Sequence, residues 1–166
     1  MQNFYIFLDI DGVMWDFKTL RQEKKSLIRT LINGAVSEQS LDALHYLINI
    51  LKQNYNPVLV ISSERRRDLA KVKKLLREDW LNCEFDTTGL QKFKTRGQLV
   101  KEYLQVVQEE VNFLIMDDFI GTYKNHFDMK KVLKTSLLGG ALSRERINKH
   151  LGLMNCDKED YEIFGN

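Results

Sequence analysis

The stretch FLDIDGV, residues 7–13, decides how the chain is interpreted. It continues the apolar run FYIFL, residues 4–8, whose aromatic and aliphatic side chains predict a strand buried on both faces, as in a parallel sheet covered by helices. The run ends at Asp9 and Asp11, and the Asp-Gly step that follows predicts a turn. Two carboxylates are therefore expected at the end of a buried strand, where charged groups need partners.

Further apolar runs alternate with amphipathic stretches. VLVIS (58–62) and NFLIMDD (112–118) predict buried strands, and CEFD (83–86) and KKVLKT (130–135) predict short ones. Apolar residues at helical spacing predict helices from residue 40 onward, over 64–79, over 97–108 and over 143–151. This alternation predicts a three-layer, Rossmann-like α/β fold with a mainly parallel central sheet. A length of 166 residues predicts one domain, residues 1–166.

The composition excludes few functions. The net charge of +2 does not indicate any class of binding partner. A nucleic acid could therefore bind only at a local basic patch. The two cysteines, Cys83 and Cys156, allow one bridge at most, and we expect a reducing cytoplasm. No apolar run approaches the roughly 20 residues that cross a bilayer, so no membrane partner is expected.

Polar residues stand at the ends of three predicted strands. They are Asp9 and Asp11, Ser62 and Ser63, and Asp117 and Asp118. The carboxyl ends of parallel strands share one edge of the sheet, where α/β proteins bind ligands. Four carboxylates at that edge would repel one another unless a cation lay among them, and oxygen ligands favour Mg²⁺. Three scattered histidines give zinc little support.

Such a site permits phosphoryl chemistry. A carboxylate attacks phosphorus in line and forms an acyl-phosphate that water later breaks, and Asp9 is the candidate nucleophile. Asp11, two residues further on an extended strand, points to the same side and would protonate the leaving oxygen and later deprotonate water. A hydroxyl and a cation must hold the phosphate oxygens; Ser62 fits the first role, and Lys94 or Arg96 the second.

These residues resemble the motifs of haloacid dehalogenase-like (HAD) phosphatases. FLDIDGV resembles motif I, VLVIS motif II, TRGQLVKEYL motif III with Arg96, and NFLIMDD motif IV. Over nearly its full length the chain is similar to the compact HAD domains of Swiss Army Knife RNA repair proteins. Those domains have an RG pair before a helix, a DD strand, a short strand ending in KT and a late GL turn. The corresponding segments in this chain are TRGQLVKEYL, FLIMDD, VLKT and GGALS.

The resemblance implies a magnesium-dependent phosphohydrolase with a minimal cap or none, acting on a phosphomonoester through an aspartyl-phosphate. Asp9 would be the nucleophile and Asp11 the acid and base. Mg²⁺ would be held by Asp9, the backbone carbonyl of Asp11 and one acid of the pair, with Asp118 preferred to Asp117. The expected substrate contacts are Ser62, Ser63, Lys94 and Arg96. An open site suits a large or polynucleotide substrate.

Each motif also has a purely structural interpretation. The aspartates can end strands and cap loops, Ser62 and Ser63 can cap a helix, and the run 64–67 can be a solvated helix start with Arg65 near the pocket. Trp15 is either a lid over the pocket, which we favour, or part of the core. Rival functions are a non-catalytic domain that binds phosphate or RNA, and a phosphotransferase. A response-regulator receiver is excluded because Ser62 stands where its acceptor aspartate is required.

Overall fold

A five-stranded, all-parallel sheet forms the centre of the structure, a computed structural model that describes residues 1–28, 30, 34–91, 93–107 and 111–154. The strands are β1 (Gln2–Leu8), β2 (Tyr55–Ile61), β3 (Glu84–Thr87), β4 (Asn112–Asp117) and β5 (Val132–Lys134). Their order across the sheet is β3-β2-β1-β4-β5. The predicted Rossmann-like α/β class is confirmed.

Helices cover both faces of this sheet. They are α1 (Phe17–Gln22), α2 (Glu38–Leu51), α3 (Leu69–Leu75), α4 (Glu78–Leu81), α5 (Arg96–Val107) and α6 (Arg144–Met154). Alternate residues of β1 enter different cores: Ile6 and Leu8 pack in the larger one with α2, α3 and α6, and Tyr5 and Phe7 pack in the smaller one with α5. A central strand that is apolar on both faces therefore produces three layers.

The strand order contains one reversal. From β1 the chain adds β2 and β3 on one side, and then it returns to place β4 and β5 on the other side of β1. In open parallel sheets, such a reversal leaves a crevice at the carboxyl ends of the two diverging strands. Here those strands are β1 and β4, which end beside Asp9 and Asp117.

Two helical predictions have different outcomes. The helix predicted after residue 40 exists as α2, and Ser37 is its cap, with Oγ accepting from the Ser40 amide at 3.0 Å. The helix predicted over 64–79 is wrong as one element, since it divides into a 3-10 helix (Glu64–Asp68), α3 and α4. The Asp68 side chain caps α3, and Arg77 takes a left-handed conformation with φ 56° before α4.

The arginines that follow Ser63 do not form a solvated helix start. Arg66 is buried and donates to the carbonyl oxygens of Ser62 and Ser63 at 3.2 and 2.8 Å. Arg67 alone of the three matches the solvated interpretation, with 70% of its side chain exposed. The sequence pattern missed this because it does not show which polar side chains satisfy nearby carbonyls.

The segment between β1 and α2 is packed against the body of the protein. Trp15 is 1% exposed, so the preferred interpretation as a lid is wrong and the alternative, a core position, is correct. Asp16 caps α1 by accepting from the Thr19 amide at 2.6 Å, and its other oxygen accepts from the Ala141 amide at 2.9 Å.

Two further expectations concern the chain's surroundings. Cys83 is a free thiol whose pKa burial raises to about 11, and Cys156 lies outside the described residues. None of the helices that the structure describes combines the length and hydropathy required to span a membrane.

Candidate active site

The strand ends bring three predicted site residues to one rim. The ladder continues past the strands, because the Asp9 amide donates to the Met116 carbonyl and the Ser62 amide donates to the Leu8 carbonyl, both at 3.0 Å. The residues two positions before Asp9, Ser62 and Asp117 all pack in the smaller core, so these three side chains share the face that carries α5.

Arg96, the first residue of α5, is the cation at this rim. Its Nη1 donates to Asp9 Oδ2 at 2.8 Å and to the two oxygens of Asp117 at 2.9 and 3.0 Å. Burial by itself would lower the pKa of Arg96, but Asp9 and Asp117 outweigh burial and raise it. The guanidinium stays charged beside the candidate nucleophile.

Gly97 lets the start of α5 come close enough to the sheet edge for Arg96 to contact Asp9 and Asp117. A Cβ atom on Gly97 would overlap the carbonyl oxygen of Thr122, so the start of α5 lies directly against the segment that follows β4. Only glycine permits this approach without displacing backbone. The RG pair that resembles the family pattern therefore combines a cation with the contact that positions it.

Lys94, the alternative cation, lies elsewhere. Its Nζ pairs with the Glu102 carboxylate on α5, on the solvent side of the helix. The structure thus brings Arg96 to Asp9, the candidate nucleophile, and it keeps Lys94 in an ion pair of its own.

Asp9 combines deep burial with an oxygen that lacks a partner. It is 1% exposed, and Oδ1 makes no hydrogen bond of ordinary geometry within the described residues, although the Ser63 hydroxyl and the Ile10 amide lie close enough to the carboxyl to lower its pKa. Burial raises the pKa of Asp9 to about 7, the Asp117 carboxylate adds to the rise, and Arg96 offsets part of it. A buried carboxylate in this position gains from a cation or from a bond to phosphorus.

Asp117 and Asp118 differ sharply in their surroundings. Asp117 accepts from the Phe119 amide and from the Tyr123 hydroxyl, both at 2.7 Å, in addition to Arg96. Asp117 therefore caps the loop after β4, as its structural interpretation predicts, and it also binds Arg96, the cation of the site. Burial and the neighbouring Asp117 raise the pKa of Asp118, whose carboxylate lies so close to Gly12 that a Cβ there, where φ is +80°, would overlap it.

The cluster fits a hard divalent cation. One carboxylate oxygen from each of Asp9, Asp117 and Asp118 lies within 4.8 Å of the other two, and within the described part of the chain no histidine or cysteine joins this group. All donors are oxygen, as Mg²⁺ prefers, and Asp9 Oδ1 supplies a buried position that lacks a partner. Protein donors already occupy the oxygens of Asp117, which leaves Asp9 and Asp118 as the available carboxylates.

Asp11 is held at the mouth of the site. Nε of Arg65 lies 2.9 Å from Oδ2 and 3.1 Å from Oδ1, and Nη2 lies 2.9 Å from Oδ1. The Trp15 indole N–H also donates to Oδ1, at 3.0 Å. Arg65 Nη2 donates in addition to the Thr30 carbonyl at 3.3 Å. Asp11 is thus fixed from two sides.

The two serines have separate environments. Ser63 Oγ accepts from the Arg65 amide at 3.3 Å and caps the 3-10 helix that begins at Glu64. Ser62 Oγ is buried and has no hydrogen-bond partner among the described residues. Ser62 can therefore offer its hydroxyl to a phosphate, while Ser63 shapes the loop.

The sequence does not indicate Tyr123, which is fully buried on Asp117 and carries no motif. Trp15 and Arg65 are both expected near the pocket from their positions directly after motifs I and II, but their contact with Asp11 is not predicted by any pattern.

The comparisons with known proteins agree with this geometry. The family model described as "HAD domain in Swiss Army Knife RNA repair proteins" matches residues 5–144, which include every residue of the site. Curated proteins and solved structures give no match. On this match and on the parallel sheet with its acidic rim, the chain belongs to the family of HAD domains in Swiss Army Knife RNA repair proteins.

Proposed function

We propose that the protein is a magnesium-dependent phosphohydrolase that cleaves a phosphomonoester through an aspartyl-phosphate on Asp9. The observation that carries the proposal is the state of this residue: it is buried, held by Arg96 through one oxygen, and without a partner on the other. A purely structural aspartate at a strand end would have both oxygens satisfied.

The residues divide the reaction between them. An oxygen of Asp9 attacks phosphorus as the phosphorus–oxygen ester bond breaks, and the leaving oxygen takes a proton from Asp11. Water then attacks the aspartyl-phosphate, Asp11 takes one of its protons, and the bond to Asp9 breaks to release phosphate. Arg96 and the Ser62 hydroxyl hold the oxygens over which charge spreads.

Asp9, Asp118 and the backbone carbonyl of Asp11 would hold the metal in this proposal. Magnesium, when bound, offsets the charge of the phosphate and of the nucleophile. Asp117 instead keeps Arg96 directed at Asp9, since three protein donors already occupy its carboxylate.

A nucleic-acid substrate and a cytoplasmic location belong to the same proposal. The family description names RNA repair proteins. The segment between β1 and α2 is also too short for a full cap domain, so the site is open enough for a large substrate such as a phosphorylated polynucleotide end.

The test is the release of inorganic phosphate from small phosphomonoesters and from phosphorylated oligonucleotides, with Mg²⁺ and with EDTA. Asp9→Asn should fold and lose at least about a thousandfold in kcat, because an amide is no nucleophile. Asp42→Asn, at an exposed ion pair with Arg144, is the matched control and should keep full activity. Wild-type turnover in Asp9→Asn would refute the assignment.

One observation favours a second candidate, a domain that binds phosphate without cleaving it. The free oxygen of Asp9 and the Ser62 hydroxyl are both shielded from solvent. Such a domain would bind inorganic phosphate and Mg²⁺ in calorimetry yet release no phosphate from any ester. A phosphotransferase would release phosphate slowly and accelerate when an acceptor alcohol is added.

A further inference from the structure

We propose that Thr88 is a positioning residue for Ser62. Its hydroxyl donates to Ser62 Oγ when phosphate binds, and this contact directs the Ser62 proton at a phosphate oxygen. The inference rests on the proposed function, in which the Ser62 hydroxyl holds an oxygen of the transferred phosphoryl group. It adds a residue that follows β3 to a site built by the other strand ends.

Thr88 lies in the same row of the sheet as Ser62 and Asp9. Its amide donates to the Ile61 carbonyl at 3.2 Å, in the same way as the Ser62 amide donates to the Leu8 carbonyl at 3.0 Å. The registers of β1 with β2 and of β2 with β3 continue past the strand ends through these bonds. Neighbouring strands lie about 4.8 Å apart, so Ser62 has Asp9 one strand away on one side and Thr88 one strand away on the other.

The two hydroxyls also share one face of the sheet. Asp86, two residues before Thr88, accepts a hydrogen bond from the Tyr103 hydroxyl of α5 at 2.5 Å. Val60, two residues before Ser62, packs in the smaller core beside the same helix. Because side chains alternate along a strand, Thr88 and Ser62 both lie on the face that carries α5.

Both hydroxyls are buried and unpaired. Thr88 and Ser62 are each 1% exposed, and neither Thr88 Oγ1 nor Ser62 Oγ has a hydrogen-bond partner within the part of the chain that the structure describes. A buried hydroxyl without a partner costs free energy, so packing alone would favour apolar side chains at these positions. Two such hydroxyls on adjacent strand ends therefore indicate a role in binding.

Thr88 and Ser62 differ in mobility in a way that suits the proposed contact. Threonine is branched at Cβ, so its side chain has few rotamers, whereas the unbranched serine turns more freely. Arg66 donates to the Ser62 carbonyl at 3.2 Å and holds the Ser62 backbone in place. Only the Ser62 hydroxyl has to turn, and the spacing of neighbouring strands allows it a hydrogen bond of about 2.8 Å to Thr88.

The chemistry of the groups gives the direction of the hydrogen bonds. A hydroxyl has one proton and two acceptor positions, while the oxygens of a phosphate dianion only accept. Ser62 must therefore give its proton to the phosphate, and its oxygen then accepts from Thr88. Hydrogen bonds in such a chain strengthen one another, and the gain is largest where charge builds up in the transition state.

The experiment compares Thr88→Val, which keeps the shape without the hydroxyl, with Thr88→Ser, which keeps the hydroxyl. Thr88→Val should lower kcat/KM for phenyl phosphate about tenfold, mainly through kcat, and weaken the binding of inorganic phosphate in calorimetry about threefold. Thr88→Ser should stay within about twofold of the wild type in both measurements. Thr87→Val is the matched control, since Thr87 lies on the opposite face of β3 and the substitution should leave both unchanged.

Two further measurements separate positioning from packing. Without phosphate, Thr88→Val should melt about 2–4 °C above the wild type, because it removes a buried hydroxyl that has no partner in the described structure. In a Ser62→Ala background, Thr88→Val should change kcat/KM by less than about twofold, since the contact is already lost. If Thr88→Val does not fold, Thr88→Ala, which also removes the hydroxyl, takes its place in the activity and binding measurements.

The outcomes distinguish the inference from the proposed function. Unchanged turnover and phosphate affinity in Thr88→Val, or an equal loss with and without the Ser62 hydroxyl, overturns the inference while the proposed function stands. A wild-type protein that binds phosphate but cleaves no ester refutes the proposed function, and the phosphate affinities of the Thr88 variants then decide the inference. A wild-type protein that neither binds phosphate nor cleaves an ester overturns both.

Discussion

Asp117 and Asp118 are adjacent in sequence, yet their surroundings give them different tasks. Asp117 is fully buried and bound by Arg96, Phe119 and Tyr123, whereas in the described structure Asp118 borders Gly12 and the Asp9 carboxylate. Sequence alone identifies both as acids at a strand end. The pattern of residues does not separate them, and only the family resemblance favours Asp118 as the metal ligand, because the difference depends on Tyr123, six residues after Asp117, which no motif marks.

This difference predicts opposite effects of the same substitution. Asp117→Asn should lower the free energy of unfolding by about 2–3 kcal/mol, since it disturbs the hydrogen bonds that Arg96, Phe119 and Tyr123 donate to this buried carboxylate. Asp118→Asn should leave stability near the wild-type value but abolish the rise in melting temperature that Mg²⁺ produces. Denaturant unfolding and a Mg²⁺ titration followed by melting temperature check both. The reverse order would exchange the two roles.

The raised pKa of Asp9 predicts that the Asp9→Asn substitution stabilises the protein by an amount that depends on pH. Burial raises this pKa from the ordinary 3.8 to about 7, so the protein loses stability as the pH rises between these two values, and above pH 7 it bears the full cost of an ionised Asp9. Asp9→Asn removes this cost without removing the side chain. In the absence of metal its melting temperature should therefore exceed that of the wild type more at pH 8 than at pH 5. An equal difference at both pH values would contradict this account.

Among the elements, the strands were the most predictable. β1, β2 and β4 are apolar on both faces and end in polar residues, and this pattern follows from burial alone. The stretch 64–79 was less predictable because Asp68 and Arg77 interrupt a continuous apolar stripe. Helix boundaries depend on such local caps, which compete with the periodic pattern.

Helix α5 offers a test of how an element positions a side chain. Gly97→Ala should cost about 1–3 kcal/mol, because the new methyl group overlaps the Thr122 carbonyl, and activity should fall further as Arg96 moves from Asp9. Gly152→Ala, at an exposed position in α6 with open space around it, is the control and should stabilise by about 0.5–1 kcal/mol. Equal stability changes in the two variants would show that the contact is unimportant.

At the scale of the whole molecule, Asp16 joins the segment after β1 to the loop after β5. Burial raises the pKa of Asp16, but the amides of Thr19 and Ala141 outweigh burial and lower it. The stabilisation is therefore present at neutral pH and is lost as the pH falls through the lowered value.

Asp16→Ala should destabilise the protein by about 1–3 kcal/mol at pH 7, with a smaller difference near pH 3. Urea unfolding at the two pH values measures this. Asp42→Ala, at an exposed ion pair, should change stability little at either pH. The sequence did not reveal this tie, because residues 16 and 141 share no local pattern. The single domain over residues 1–166 stays a prediction.

The position of β1 between β2 and β4 has a consequence for synthesis on the ribosome. β1 is made before both of its neighbours and can pair with β2 once Ile61 has been made, but its second neighbour begins only at Asn112. Until β4 emerges, one edge of the central strand stays unpaired, and the nascent chain holds Asp9, the proposed nucleophile, without Arg96, Asp117 or Asp118 in place. Parallel sheets with distant pairings fold slowly and expose such edges. The half-made protein should therefore be inert and dependent on chaperones until about residue 120 has left the exit tunnel.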